Sequence, residues 1–157
     1  MAAAALSDIA TFRIPNLLVV AVGMLFLLVA LLHYADAFWI GHIAASVLCF
    51  LVGLLLYRYD QMGAGDVKLL SVAALWPGLQ GLLPFLFLVT LAGLIFMLLV
   101  VATRLILSMA SRRSWIETKR NLPRVLQSGE GIPYGVAICL GSIAAIPSYP
   151  AWLWTFV

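Results

Sequence analysis

Apolar residues run almost unbroken along this chain, and the polar ones are gathered into a few short connections. Leu17 to Ala35, Phe38 to Tyr57 and Phe85 to Leu107 each approach or exceed the roughly twenty apolar residues that a helix needs to cross a bilayer core. Leu69 to Leu83, which holds Pro77 and Gly78, and Ile132 to Ile146, bounded by Pro133 and Pro147, are shorter and predict spans with kinked or frayed ends. Met1 to Arg13 is also apolar and helix-friendly, but at about 1.5 Å per residue it reaches only ~20 Å, against a core about 30 Å thick. It reads as the inner part of a first span, either partly submerged or completed by residues upstream of Met1. A cleaved signal peptide fits less well, because no positive region precedes the apolar run and Asp8 interrupts it. The predicted fold is all-α: a polytopic membrane helical bundle of about six transmembrane helices with the first one short, forming one membrane-embedded domain over residues 1–157.

Composition agrees with that pattern. Of 157 residues, 65% are hydrophobic and 10% charged, and the mean hydropathy is +1.14, too little polar material to cover a water-facing surface. Cys49 and Cys139 lie in separate apolar stretches without metal-ligand spacing, so they read as packing residues rather than a disulfide or zinc framework. His33 and His42 have no carboxylate cluster around them, and no metal site is expected. The net charge of +3 reports on topology before it reports on nucleic acid, for which no partner role is expected.

Alternating the chain across the bilayer from Arg13 puts three connections on one side: Arg13 to Asn16, Arg58 to Lys68 and Arg104 to Gly131. All nine cations fall there. The other side carries Asp36, His33 and the aromatic tail "YPAWLWTFV", whose tryptophans suit the headgroup belt. The positive-inside rule makes the first side the cytosol. The stretch "RRSWIETKRNLPRVL" (Arg112 to Leu126) interleaves apolar residues with bases, as a helix lying among acidic lipid headgroups would, although topology anchoring alone also explains it.

This topology sets Asp8 near the cytosolic end of the first span and Asp66 at the start of the fourth, at matching depth. The chain has only six acidic residues, and an acid in the apolar zone costs about 2.5 to 3.5 kcal/mol on insertion scales. The chemistry that wants two facing carboxyls is aspartic proteolysis. One ionised Asp takes a proton from water, and the other, protonated, polarises the scissile carbonyl. Asp66 also gains from the positive end of its helix dipole, which favours it as the ionised partner. Gly63 and Gly65 would let a substrate backbone approach Asp66 and permit a tight entry into its helix.

Three blocks together, "SDIATFRIPN" (Ser7 to Asn16), "GAGDVKLL" (Gly63 to Leu70) and "GIPYGVAI" (Gly131 to Ile138), resemble the signatures of the type IV prepilin peptidases, the GxGD membrane aspartic proteases, and most nearly their short TadV/CpaA-like branch. The resemblance covers essentially the whole chain in order and spacing. It implies Asp8 and Asp66 as the catalytic dyad, a bacterial cytoplasmic (inner) membrane location with the active site at the cytosolic side, and prepilin or Flp-type pilin precursors as partners in pilus biogenesis. Such precursors are cut just before an apolar helix. Longer members carry paired CxxC motifs and methylate the new amino terminus; this chain has neither those cysteines nor that segment, so a peptidase without methyltransferase activity and without a cofactor is expected.

Plainer readings stand beside these. Asp66 could simply cap its helix, and Asp8 could be an interfacial acid paired with Arg13. Lys68 is open between tuning the dyad, gripping the substrate backbone and snorkelling to headgroups. Asp60, among exposed residues of the same connection, reads as a solvated loop charge. Pro15 and Asn16 read as a break and cap. Pro133, Tyr134 and Gly135 begin a span and are candidate walls of the substrate groove. The rival function is a small multispan transporter or channel subunit with Asp8 and Asp66 in a proton or cation path. The aliphatic middles of the spans argue against it.

Overall fold

In the computed structural model, which describes residues 2–11, 14–32, 39–110 and 134–149, the regular elements are all helical. They are α1 (Ala2–Thr11), α2 (Asn16–Leu32), α3 (Trp39–Arg58), α4 (Ala64–Ala73), α5 (Gly78–Ala110) and α6 (Tyr134–Ala144), followed by a single 3₁₀ turn at Ile146–Ser148. Arg13, His33, the Arg112 to Leu126 stretch, Pro133 and the segment after Tyr149 lie outside the described residues. The all-α membrane architecture is as expected. By length and apolarity, α3 and the Gly78–Ile106 part of α5 are each able to cross a bilayer, and α2 and α6 are shorter apolar helices.

One boundary differs from the expectation. The division between a span ending at Leu83 and another opening at Phe85 is absent; the chain breaks earlier, between Ala73 and Gly78. Leu75 N–H donates to Val72 and Trp76 N–H to Ala73, tightening the last turn of α4. Pro77 brings no N–H with which to continue the helix. Gly78 then takes φ +61°, a conformation that L side chains rarely adopt, and the ring of His42 sits where a Cβ would point. Pro84, in contrast, lies inside the 33-residue α5 with its ring exposed. The consequence is that α4, at ten residues or about 15 Å, reaches only partway through the bundle.

Helix α6 is the hub. It packs against α1, α4 and α5, while α3 packs on α4 and α5, and α2 on α4. Its residues Gly135 to Cys139 are buried. The core around it is built mainly of small side chains, among them Ala4, Ala45, Cys49, Ala73, Ala74 and Ala145, with Leu69, Phe85 and Ile138 as the larger fillers. Small residues at helix contacts suit a membrane, where lipid tails are as apolar as leucine and association depends on close van der Waals fit. Large aliphatics face outward instead, as with Leu28 on α2, Leu51 on α3 and Leu98 on α5.

The two ends of the bundle carry different chemistry. At one end, the Nδ1–H of buried His42 donates to the Leu75 carbonyl, with Phe26 packed on both His42 and Trp76. Tyr149 Oη–H donates to the Ser142 carbonyl there at 3.0 Å. At the other end lie the first turns of α2, α4 and α6, the end of α3 at Arg58, and Asp8.

Gly141 is the tightest point of the α5–α6 contact, since a Cβ there would run into the Val89 backbone. Gly141→Ala is expected to cost roughly 1–3 kcal/mol of overpacking. Gly93→Ala, whose new Cβ would lie 3.4 Å from the Ala137 Cβ, should be close to neutral. Resistance of the purified proteins to dodecyl sulfate unfolding in mixed micelles checks both.

Candidate active site

The chain enters α4 through Gly63, which is extended at φ −69° and ψ 145° and occupies the N-cap position. Asp66 is therefore the third residue of the helix rather than its cap. Its carboxylate turns back to accept the Gly63 N–H, the acidic half of a capping box, and a Cβ on Gly63 would come within 2.9 Å of Asp66 Oδ2. In that position the carboxylate also sits at the positive end of the α4 dipole. Its other oxygen, Oδ1, is buried and has no hydrogen-bond partner among the described residues. Leaving a buried acceptor unsatisfied costs about 1–3 kcal/mol, and such groups concentrate where a structure has work for them.

Asp8 lies on α1 with only 5% of its surface exposed. Its Oδ2 accepts the backbone N–H of Gly135, in the first turn of α6, at 2.7 Å. The approach is possible because residue 135 has no side chain: a Cβ there would be 2.8 Å from the same oxygen. The pairing of Asp8 with Arg13 lies outside the described residues; what holds Asp8 inside the bundle is a main-chain donor 127 residues away. Both carboxylates thus sit at one end of the bundle, each on an N–H at the start of a helix.

The neighbouring residues have defined places. Gly65 lies under Ile14, whose Cβ is 3.4 Å from where a Gly65 Cβ would be, so the segment before α2 closes over the start of α4. The Lys68 amine donates to Asn16 Oδ1 at 3.2 Å and ties the first turns of α2 and α4 together. Asn16, expected as a cap, spends its side-chain oxygen on that bond. Tyr134 is half exposed beside Gly135. Asp60 is exposed, in a left-handed turn conformation at φ 56°, which Asp tolerates better than most residues. Sequence reasoning found the two acids and the flanking glycines but missed the donor role of Gly135 and the Lys68–Asn16 bond. A glycine just inside a helix start, at the depth of a buried acid, is the signal that could have revealed the first.

These features define a membrane-embedded helical protein with two carboxylates at one end of its bundle. The sequence profile of the type IV leader peptidase family matches residues 1–98, well over half of the 157 residues, and the chain belongs to that family. It is accordingly a membrane-bound leader peptidase, a hydrolase. The matched region holds both aspartates and the Gly63 to Lys68 stretch; Tyr134 and Gly135 fall beyond it. No curated protein and no solved structure matches the chain significantly.

Gly135→Ala should displace the Asp8 carboxylate from its donor and lower kcat/KM for leader cleavage by at least about a hundredfold. Detergent melting of the variant alongside the wild type checks that the loss exceeds any loss of fold.

Proposed function

We propose that the chain is an aspartic leader peptidase of the TadV/CpaA-like branch, which removes the leader of prepilins or Flp-type pilin precursors at the cytosolic face of the inner membrane. The observation that carries this reading is the convergence of Asp8 and Asp66, from opposite parts of the family-matched region, at the end of the bundle where Arg58 and Lys68 lie.

In the proposed reaction the two carboxyls share one proton, because like charges so placed resist double ionisation, and they titrate as a pair. Asp66, favoured as the anion by its helix start and left with a free Oδ1, takes a proton from water. The resulting hydroxide attacks the scissile carbonyl, which accepts a hydrogen bond from protonated Asp8. The proton then passes to the amide nitrogen, the C–N bond breaks, and a leader carboxylate and a new amino terminus result. No cofactor takes part, and with no paired CxxC segment in the sequence no methyl transfer follows. Gly63, Gly65, Tyr134 and Gly135 shape the place where the substrate backbone lies, and Pro133 adjoins them in sequence. Lys68 supports the site through Asn16.

A proton or cation path would need polar groups through the thickness of the bundle. Ser71, Thr90, Thr103 and Ser142 instead donate their hydroxyls to carbonyls of their own helices, as side chains do when no other polar group is at hand. This favours the enzyme.

Asp8→Asn and Asp66→Asn are each expected to lower precursor cleavage by at least about a thousandfold with normal membrane insertion; full processing by either variant would discard the dyad. The sidedness has its own measurement. Cys49 and Cys139 are buried, so a cysteine placed at exposed Gln61 should react with an impermeant maleimide in inverted membrane vesicles and stay unlabelled in intact spheroplasts.

A further inference from the structure

Between α3, α5 and the start of α6 the bundle leaves a groove of about 480 Å³, with Leu56, Met62, Thr90, Gly93, Met97 and Tyr134 among its walls. Two of these residues tie it to the rim. Met62 immediately precedes Gly63, whose N–H is taken by Asp66, and Tyr134 immediately precedes Gly135, whose N–H is taken by Asp8. The mouth of the groove is therefore framed by the sequence neighbours of both carboxylate anchors. From Met97 the α5 wall continues to Leu86, about 16 Å further into the bundle at the rise of an α-helix.

The chemistry of the walls narrows the occupant. Thr90, the polar side chain deep in the groove, has its hydroxyl committed to the Leu86 and Phe87 carbonyls at 3.0 and 2.8 Å. The lining therefore asks for no polar partner below the mouth. A helix ~10 Å across and ~16 Å long encloses roughly 1,300 Å³, so the groove admits one face of it and leaves the opposite face to lipid. Gly93 opens the middle of the wall, and Met62 and Met97 supply side chains that adapt to varied shapes.

We propose that this groove seats the apolar helix adjoining the scissile bond of the substrate, taking a stripe of its side chains at i, i+3/i+4 and i+7 spacing and presenting to Asp8 and Asp66 the point where that helix leaves the membrane. The proposal rests on the reading of those aspartates as the dyad. Lipid tails would wet any outer face of the bundle equally; a groove whose mouth is framed by Met62 and Tyr134, the sequence neighbours of both carboxylate anchors, is placed for the reacting chain. Because lipid competes on equal hydrophobic terms, selection comes from fit.

The test uses the full chain carrying Asp66→Asn in vesicles of phosphatidylethanolamine and phosphatidylglycerol. The probe is a synthetic precursor with a short leader followed by about twenty apolar residues, bearing a benzophenone side chain two helical turns beyond the leader junction. Cross-links are expected on Leu56, Gly93 and Met97, and Thr90→Trp should remove them. In the active chain, Thr90→Trp and Gly93→Phe should each raise KM for the precursor at least about tenfold with kcat little changed, the mark of lost uniform binding. Cross-links on the outer face of α2, a photoreactive phospholipid that the precursor cannot displace from the groove, or an unchanged KM in both variants would each overturn the proposal. Groove cross-links together with full cleavage by Asp8→Asn or Asp66→Asn would instead refute the dyad alone.

Discussion

The closeness with which α6 can be approached governs the rest of this molecule. Three helices rest on it, and at two points they touch where it has no side chain, Asp8 at Gly135 and the Val89 backbone at Gly141. In lipid there is no hydrophobic force to press helices together, so contact depends on how much surface can come within van der Waals range. Glycine gives up helix propensity, about 1 kcal/mol relative to alanine, and in exchange lets one backbone lie against another. The same absence of a Cβ that permits packing at Gly141 lets the Asp8 carboxylate reach the main chain at Gly135.

Among the described residues, both acids are met by backbone groups at helix starts. Each takes an N–H from the first residues of a helix, where four such donors are otherwise unpaired, and each sits near a positive dipole end. A lysine or arginine bonded to a carboxylate would hold it as an anion. Lys68 lies in the same turn as Asp66, yet its amine is engaged by Asn16. Asp66 Oδ1 is a buried oxygen with no partner among the described residues.

Much of this was legible in the chain. The apolar runs around α3 and the body of α5 are long enough to be unmistakable, and the one-sided distribution of cations put Asp8 and Asp66 at the same end before any geometry was known. The break after Ala73 was harder, because Pro77 and Pro84 look alike as signals and only tertiary context separates them. Pro77 is buried next to a left-handed Gly78 packed on His42, whereas Pro84 turns its ring outward and α5 continues through it. The partners of the acids were not legible for another reason. A backbone N–H has no letter in the sequence, and the Asp8–Gly135 bond joins residues 127 positions apart. Ile14 over Gly65 is equally invisible, since neither residue is unusual in its own segment.

The short α4 and the turn that follows it together link the two ends of the bundle. A helix that spanned the core could slide by part of a turn with little change in what it buries, but α4 is only ten residues long and is held at both ends. Past its last turn, the Leu75 carbonyl is bound by His42, and Gly78 is locked against the same ring. At its first turn, Lys68 is tied to Asn16 and Gly65 is covered by Ile14. At 1.5 Å per residue, a slip of two residues would carry Asp66 about 3 Å along the axis, the length of a hydrogen bond, and Asp8 cannot follow because α6 holds it. The His42 cluster at the far end thus fixes the depth of one carboxylate as Gly135 fixes the other, and the rim of the bundle is only as well defined as the end that faces away from it.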